Sequence, residues 1–152
     1  MTHLLRGRFD CKVDAKARVS LPSALRMQLS PKCSRLVLTT GLFKKRKCLD
    51  VFPEEEWKKL EKRIAALPAL RPEVQAYQRF YLSSGQPVEI DNNGRLLIPP
   101  SLRKFAELTD ELVVIGMGNK MEIWSSNVWS DLHKELEDQF EDIQAAVAGL
   151  ME

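Results

Sequence analysis

Residues 14–22 read Asp-Ala-Lys-Ala-Arg-Val-Ser-Leu-Pro, and residues 91–99 read Asp-Asn-Asn-Gly-Arg-Leu-Leu-Ile-Pro. Both stretches place an Asp four residues before an Arg, and both end on a short largely apolar run and a Pro. The offset is 77 residues, and at the same offset Leu25-Arg26 aligns with Leu102-Arg103. Self-similarity at one fixed period indicates a chain built from two copies of a single supersecondary unit.

The alignment continues on both sides of one insertion. At an offset of 77, residues 36–38 align with residues 113–115. At an offset of 72, residues 51–52 align with residues 123–124, and Trp57 aligns with Trp129. The five-residue difference lies around the Lys-Lys-Arg-Lys stretch at 44–47. Two interpretations of this basic loop stay open: a solvated hairpin tip, or a set of phosphate contacts that position the protein on a nucleic acid.

Each copy is predicted to form a strand, a turn, a second strand, a short helix and a hairpin. Residues 8–13 alternate between apolar and charged side chains, which is the pattern of a half-buried strand. Pro22 suits the first turn of a helix. In the second copy, Gly118-Asn119 lies between two apolar runs and favours a tight hairpin.

Helical patterns follow each copy. Residues 54–82 begin with three Glu and continue with Lys and Arg, an order that suits the helix dipole. A C-terminal helix is predicted from about Ser126, and it is expected to pack against the body or against a sister subunit. Apolar residues recur along it at spacings of three or four, at Val128, Leu132, Leu136, Phe140, Ile143 and Val147.

Charge is distributed unevenly along the 152 residues. Residues 1–50 contain 12 Lys or Arg against 3 Asp or Glu, whereas residues 131–152 contain 1 against 7. A basic front and an acidic tail favour an anionic partner at one end of the molecule. A solvated surface of mixed sign is the alternative.

Several function classes find little support. His3 and His133 are the only histidines, and no nucleophile motif or phosphate-binding glycine loop is present, so we expect no catalytic residues and no cofactor. Cys11, Cys33 and Cys48 show no Cys-x-x-Cys spacing and are interpreted as reduced, small apolar residues rather than metal ligands. Neither a run of about 18 apolar residues nor a signal peptide is visible, which predicts a cytoplasmic protein without a membrane partner. No small-molecule ligand is evident.

The paired Asp-x-x-x-Arg motifs, together with Trp57 and Trp129 after matching hairpins, resemble the MraZ family of the SpoVT-AbrB-like, swapped-hairpin class. The similarity runs from about Arg6 to Trp129. Ala17 departs from it, because the family's first motif usually has Gly at this position, as the second motif has in Gly94.

The resemblance implies an α+β fold in which two AbrB-like βαββ-type repeats form a pseudo-twofold, double-split β-barrel with flanking helices. The expected divisions are repeat 1 at 6–53, a helical connector at 54–82, repeat 2 at 83–126 and a C-terminal helix at 127–152. It also implies a ring-like homo-oligomer in the nucleoid that binds double-stranded promoter DNA at repeated boxes. The implied targets are the division and cell-wall gene cluster and the protein's own gene.

The two copies differ in their outward charges. Copy one carries Arg8, Lys12, Lys16 and Arg18, where copy two carries Gly85, Glu89, Asn93 and Arg95. We therefore predict that copy one faces DNA through its four basic residues, and that copy two mainly completes the barrel. Surface drift between duplicated halves is the alternative for the site, and an oligomeric assembly protein that binds no DNA is the alternative for the function.

The Asp-x-x-x-Arg residues themselves are given a structural role. Asp14 and Asp91 are predicted to accept hydrogen bonds from backbone N–H groups in tight turns. Arg18 and Arg95 leave those turns close enough to pair with the Asp. An Arg held in this way is well presented to a phosphate or a guanine edge.

Overall fold

The computed structural model describes residues 4–152, so His3 lies outside the described residues. The first half contains β1 (Arg8–Lys12), β2 (Arg18–Ser20), α1 (Ser23–Gln28), β3 (Arg35–Phe43), β4 (Arg46–Pro53), α2 (Glu54–Ala65) and α3 (Pro72–Tyr77), which continues as a π-helical turn at Gln78–Leu82. The second half contains β5 (Gln86–Glu89), β6 (Arg95–Leu97), α4 (Pro100–Phe105), β7 (Glu111–Gly116), β8 (Met121–Ser125), α5 (Ser126–Asp138) and α6 (Phe140–Leu150). The same order of four strands and three helices therefore occurs twice, and the predicted C-terminal helix is two helices that meet at Gln139.

The two copies exchange strands. An antiparallel six-stranded sheet has the order β1-β7-β8-β4-β3-β5, so the first strand of each copy pairs with the third strand of the other. The fourth strands, β4 and β8, pair with each other at the centre of this sheet. The second strands, β2 and β6, form a separate two-stranded ribbon. Neither copy can complete its sheet alone, because each supplies strands that the other needs.

The expected double-split β-barrel is not confirmed, because the strands within residues 4–152 form no closed barrel. The six-stranded sheet remains open, with β1 and β5 at its edges, and the ribbon joins it through apolar packing and an isolated bridge between Val13 and Val19. The physical reason is the length of β2 and β6. Each has only three residues, and these pair with each other rather than extending either sheet edge. The fold is a mixed α/β structure around an open antiparallel sheet.

The ribbon and the long helices cover opposite faces of the six-stranded sheet. On the inner face, Val19 and Leu96 of the ribbon pack with Leu36, Leu112 and Ile123 of the sheet. Full burial of one such side chain stabilises the fold by about 1.5–3 kcal/mol. On the outer face, α2 and α5 cover two smaller clusters. These are built on Phe52 and Trp57 in copy one, and on Val113, Trp124 and Leu132 in copy two.

The strand register corrects the sequence alignment by one residue. Cys11 pairs with Leu112, and its counterpart Val88 pairs with Leu36, so residues 36–38 correspond to 112–114 rather than to 113–115. Six residues connect α1 to β3, whereas five connect α4 to β7. The shorter connection contains Glu107 at a φ of 52°, a left-handed conformation that ends the helix abruptly. The alignment missed this deletion because residues 112–115 are all aliphatic, so residues 36–38 meet apolar side chains in either register.

Candidate nucleic-acid interface

Both Asp-x-x-x-Arg motifs form the same turn. In copy one, Asp14 Oδ1 accepts hydrogen bonds from the backbone N–H groups of Lys16 (2.8 Å) and Arg18 (2.9 Å), and Asp14 Oδ2 accepts from Arg18 Nε at 2.9 Å. In copy two, Asp91 Oδ1 accepts from the backbone of Asn93 (2.8 Å) and Arg95 (2.9 Å), and Asp91 Oδ2 from Arg95 Nε at 3.3 Å. Each carboxylate thus fixes a turn and orients a guanidinium at once.

These hydrogen bonds favour the charged form of both aspartates. The backbone N–H of Arg18 is the main reason that the pKa of Asp14 lies below its ordinary value of 3.8, and the backbone N–H of Arg95 does the same for the pKa of Asp91. Because the pKa is lower in the folded protein, the ionised turns stabilise the fold at neutral pH. That contribution is lost as the pH falls below 3.8 and passes through the folded pKa.

The ribbon brings the two motif arginines onto one surface. Arg18 pairs with Leu97 across the ribbon, and Arg95 pairs with Ser20. Val19 and Leu96, which alternate with them, are buried in the core, so Arg18 and Arg95 both lie on the outer face of the ribbon. Diagonal neighbours of this kind are about 7–8 Å apart at their Cα atoms. The strand exchange therefore creates an arginine pair that neither copy holds alone.

The two turns are fastened to each other's strands. The carbonyl oxygen of Ala17 accepts a hydrogen bond from the N–H of Ile98 at 3.1 Å, and that of Gly94 accepts one from the N–H of Leu21 at 2.9 Å. The relative position of the two arginines is thus fixed by main-chain contacts. A fixed pair loses little conformational entropy when it binds a ligand.

Arg26 is a candidate contact that sequence reasoning missed. A Cβ placed on Gly94 would overlap the Arg26 guanidinium, so the first helix of copy one holds a positive charge against the turn of copy two. The turn of copy one carries Lys16, whereas the turn of copy two has the uncharged Asn93 at the equivalent position. Arg26 of copy one therefore provides the positive charge beside the turn of copy two. The signal was present in the repeat, because Leu25-Arg26 is kept as Leu102-Arg103, but its partner turn lies far away in sequence.

The structure separates the four predicted DNA-binding residues into two pairs. Lys16 and Arg18 lie at the ribbon. Arg8 and Lys12 lie on the face of β1 turned away from the ribbon, because Arg8 pairs with Ile115 and that residue packs in the outer cluster under α5. The Arg8 guanidinium is 5.6 Å from the centroid of the Trp129 ring. Arg95, for which a structural role was predicted, pairs with Asp91 and also lies on the outer ribbon face with Arg18.

The basic loop at 44–47 contacts its own chain. Lys44 Nζ is 3.1 Å from Glu135 Oε2, and Arg46 Nη2 is 3.5 Å from Glu135 Oε1. The hydrogen bond from Lys44, and after it the one from Arg46, holds the pKa of Glu135 below its ordinary value. Lys47 Nζ lies 5.4 Å from the centroid of the Phe105 ring. The insertion therefore braces α5 against the sheet.

Two observations concern metals and membranes. Cys48, Asp50 and Glu122 are buried, and their possible ligand atoms lie within 4.8 Å of one another, but the Lys120 ammonium already lies 3.0 Å from an Asp50 oxygen and 3.5 Å from a Glu122 oxygen. The acids thus have a counter-charge from the chain itself. Among residues 4–152, no helix combines the length and the apolar character that crossing a membrane requires.

The left-handed position of the two turns allows a matched test of stability. Ala17 has a φ of 61° and Gly94 a φ of 76°. Gly94→Ala is expected to lower the free energy of unfolding by about 1–2 kcal/mol, because a Cβ is strained there and would displace Arg26. Ala17→Gly removes the same strain but loosens the unfolded chain, so its effect is expected to stay under about 1 kcal/mol. Urea titration of both variants measures the difference, and equal destabilisation would contradict this account of the turns.

The exchanged strands define a tandem-repeat protein, and the arginine pair that is its candidate site draws one residue from each copy. A family model described as "MraZ protein, putative antitoxin-like" matches residues 4–80 and again residues 82–150. Each match spans one copy together with the helices that follow it. The chain belongs to the MraZ family, and the resemblance seen in the motifs is confirmed.

Proposed function

We propose that the chain is a sequence-specific DNA-binding transcriptional regulator that presents the outer face of its ribbon to the duplex. The observation that carries the proposal is the arginine pair, Arg18 and Arg95, fixed by Asp14 and Asp91 on one exposed surface. A two-stranded ribbon fits the major groove of B-DNA, and a guanidinium can donate two hydrogen bonds to O6 and N7 of guanine.

Lys16 and Arg26 flank this pair with charges suited to phosphate. Lys16 is exposed at the tip of the first turn, and Arg26 lies against the second, so each motif arginine has one neighbouring cation. Phosphate contacts fix the register of a protein on DNA, whereas contacts with base edges read the sequence. In this proposal Arg18 and Arg95 read bases, while Lys16 and Arg26 hold the backbone. Arg8 and Lys12 lie on the other side of the sheet and contribute at most through their charge.

Binding by a single ribbon would be weak and poorly specific. One ribbon offers few side chains, and each specific base contact is worth about 1–3 kcal/mol of discrimination. Several ribbons held on one body raise the effective concentration of each for its neighbouring box. We therefore propose a homo-oligomer, ring-like as in the resemblance, that binds repeated promoter boxes in the nucleoid. The boxes upstream of the protein's own gene and of the division and cell-wall cluster are the proposed targets.

Single substitutions on the two sides of the sheet test which surface binds DNA. Lys16→Ala and Arg26→Ala are each expected to weaken binding to DNA from upstream of the protein's own gene. Each should also reduce the slope of log K against log salt by about 0.9, the contribution of one phosphate contact. Arg8→Ala removes the same charge from the other side and is expected to leave both quantities nearly unchanged. Fluorescence anisotropy over a salt series measures all three variants.

The same titrations can overturn the proposal. A larger loss in Arg8→Ala than in Lys16→Ala would move the interface to the face of β1. If the unaltered protein binds neither this DNA nor heparin, the chain acts instead as an assembly protein without a DNA partner.

A further inference from the structure

The outer face of the ribbon carries one large apolar side chain beside the two motif arginines. Residues alternate between the two faces of a strand, so this face presents Arg18 and Ser20 of β2 and Arg95 and Leu97 of β6. Leu97 lies directly opposite Arg18 in the register and two residues along β6 from Arg95. It is 52% exposed, whereas the residue before it, Leu96, is 2% exposed. An aliphatic group is therefore presented on the same surface as two fixed cations.

The fold does not need an apolar residue at the position of Leu97. At the offset of 77 its counterpart in copy one is Ser20, which occupies the equivalent place in the other strand of the ribbon. Both residues are exposed, and the ribbon packs on the sheet through the alternate residues Val19 and Leu96. The leucine thus adds apolar surface that stays in water until a ligand covers it, and covering it is favourable.

The arginines indicate which kind of ligand covers this surface. Arg18 and Arg95 each pair with their aspartate through Nε, at 2.9 Å and 3.3 Å. Within residues 4–152 the terminal nitrogens of both guanidinium groups have no hydrogen-bond acceptor, so each fork is open to donate two hydrogen bonds. A purely apolar partner would bury these donors without acceptors, at a high cost. The partner must therefore combine acceptors with a small apolar group.

The floor of the DNA major groove has this combination. Guanine offers two acceptors to a guanidinium, and of the four bases only thymine presents an apolar group there, its C5-methyl. Directly opposed residues in a ribbon have Cβ atoms about 4.5–5.5 Å apart, and successive base pairs are about 3.4 Å apart. A ribbon that directs Arg18 to one base pair therefore brings Leu97 to a neighbouring one.

We propose that Leu97 is a specificity-determining residue that contacts the C5-methyl group of a thymine beside a base pair read by a motif arginine. Ser20 offers a hydroxyl at the equivalent place, so the two strands of the ribbon read their base pairs differently. The two guanidinium groups hold the ribbon in the groove, and the leucine contact is made only while they bind. This role of Leu97 rests on the proposed function and deepens it, because it names a base that the box contains.

Duplexes that differ only in this methyl group test the contact. Deoxyuridine in place of thymidine keeps every hydrogen-bonding group of the base and removes the C5-methyl. DNA from upstream of the protein's own gene is prepared with thymine and with uracil at every such position, and both duplexes are titrated by fluorescence anisotropy. The unaltered protein is expected to bind the uracil duplex at least about fourfold less tightly, since burial of one methyl group accounts for a factor of about four.

Leu97→Ser makes the two ribbon strands alike and is expected to abolish the preference for thymine. It should bind the thymine duplex about as weakly as the unaltered protein binds the uracil duplex, because no aliphatic side chain remains on the outer ribbon face. Leu42→Ser is the matched control, since Leu42 is 56% exposed but lies on β3 of the six-stranded sheet. This variant should keep the preference, and thermal melts verify that both variants fold.

Replacing thymines one at a time tests the contact in the unaltered protein, without any variant. One thymine in each box should account for the loss, whereas a small equal loss at every position would mean that the methyl groups act through DNA shape, and would overturn the contact. Equal affinity of the unaltered protein for the two duplexes, or a Leu97→Ser variant that still prefers thymine, would also overturn it. Failure of the proposed function looks different, because the unaltered protein would then bind neither duplex, and the leucine contact would fail with it.

Discussion

Lys120→Met is expected to lower the free energy of unfolding by about 3–5 kcal/mol, the cost typical of removing one partner from a buried charge cluster. Asp50 and Glu122 face each other across β4 and β8 at the centre of the sheet, and the exposed fractions of these residues are 5% and 9%. The Lys120 ammonium lies between them, at 3.0 Å and 3.5 Å from their oxygens. Without it, two carboxylates repel each other with little water nearby. Guanidinium titration at pH 7 measures the loss.

The surrounding groups set the pH range of this effect. Tyr81 donates its hydroxyl to Asp50, and Trp124 Nε1 donates to Glu122 at 2.9 Å, so both acids keep a partner in the variant. Burial opposes the charge on Lys120, but Asp50 and Glu122 outweigh it, and its pKa lies above the ordinary value of 10.5. A raised folded pKa means that the stabilisation is fully present at neutral pH and is lost only as the pH rises through that pKa.

A second substitution separates charge from packing. Adding Asp50→Asn to Lys120→Met removes one of the two facing charges and is expected to recover part of the lost stability. If the single variant is destabilised by less than about 1 kcal/mol, the cluster is better solvated than its burial suggests and this explanation is wrong.

Local chemistry is the part of the fold that the sequence could predict. An Asp at the start of a tight turn satisfies backbone N–H groups within four residues, so the two motifs carry their own conformation wherever they occur. The alternation in residues 8–13 and the Gly118-Asn119 turn are equally local, and both lie where they were expected, in β1 and in the β7–β8 hairpin. The similarity between residues 14–22 and residues 91–99, which lie 77 residues apart, then predicted two tandem copies.

The exchange of strands could not be predicted from these residues. The strand that pairs with β1 depends on how the two half-sheets bury their apolar faces together. The third strand of the same copy, β3, competes for this place with β7, which lies about a hundred residues further along the chain. This uncertainty affected the candidate site directly. The alternation of apolar and charged residues placed Arg8 and Lys12 on the charged face of β1. Only the pairing with β7 shows that this face is the outer one, which α5 covers, and not the face that packs against the ribbon.

The central charge cluster illustrates a signal that was present but incomplete. The offset of 72 that aligns Trp57 with Trp129 also aligns Asp50 with Glu122, so two acids at equivalent positions were visible. Their meeting across β4 and β8 follows from the pseudo-twofold relation between the copies, since the equivalent strands pair at the axis. Lys120 neutralises them from one copy only, because Cys48 stands at its counterpart position. Residues on such an axis meet their own equivalents, which is why a symmetric pair of acids needs a third group.

The double variant Arg18→Ala/Arg95→Ala is expected to lose sequence-specific DNA binding while it keeps its fold. Two base contacts at about 1–3 kcal/mol each make a loss of roughly 30-fold or more in affinity for the promoter site, with a far smaller change for unrelated DNA. The fold should survive, because exposed ion pairs add little to stability and the aspartates keep their backbone hydrogen bonds. Arg18→Lys/Arg95→Lys, which keeps the charge but lacks the guanidinium fork, should restore unspecific affinity without restoring the preference for the promoter. Anisotropy titrations of each variant on both duplexes, with thermal melts alongside, measure this. If the double alanine variant still prefers the promoter, Arg18 and Arg95 do not read bases.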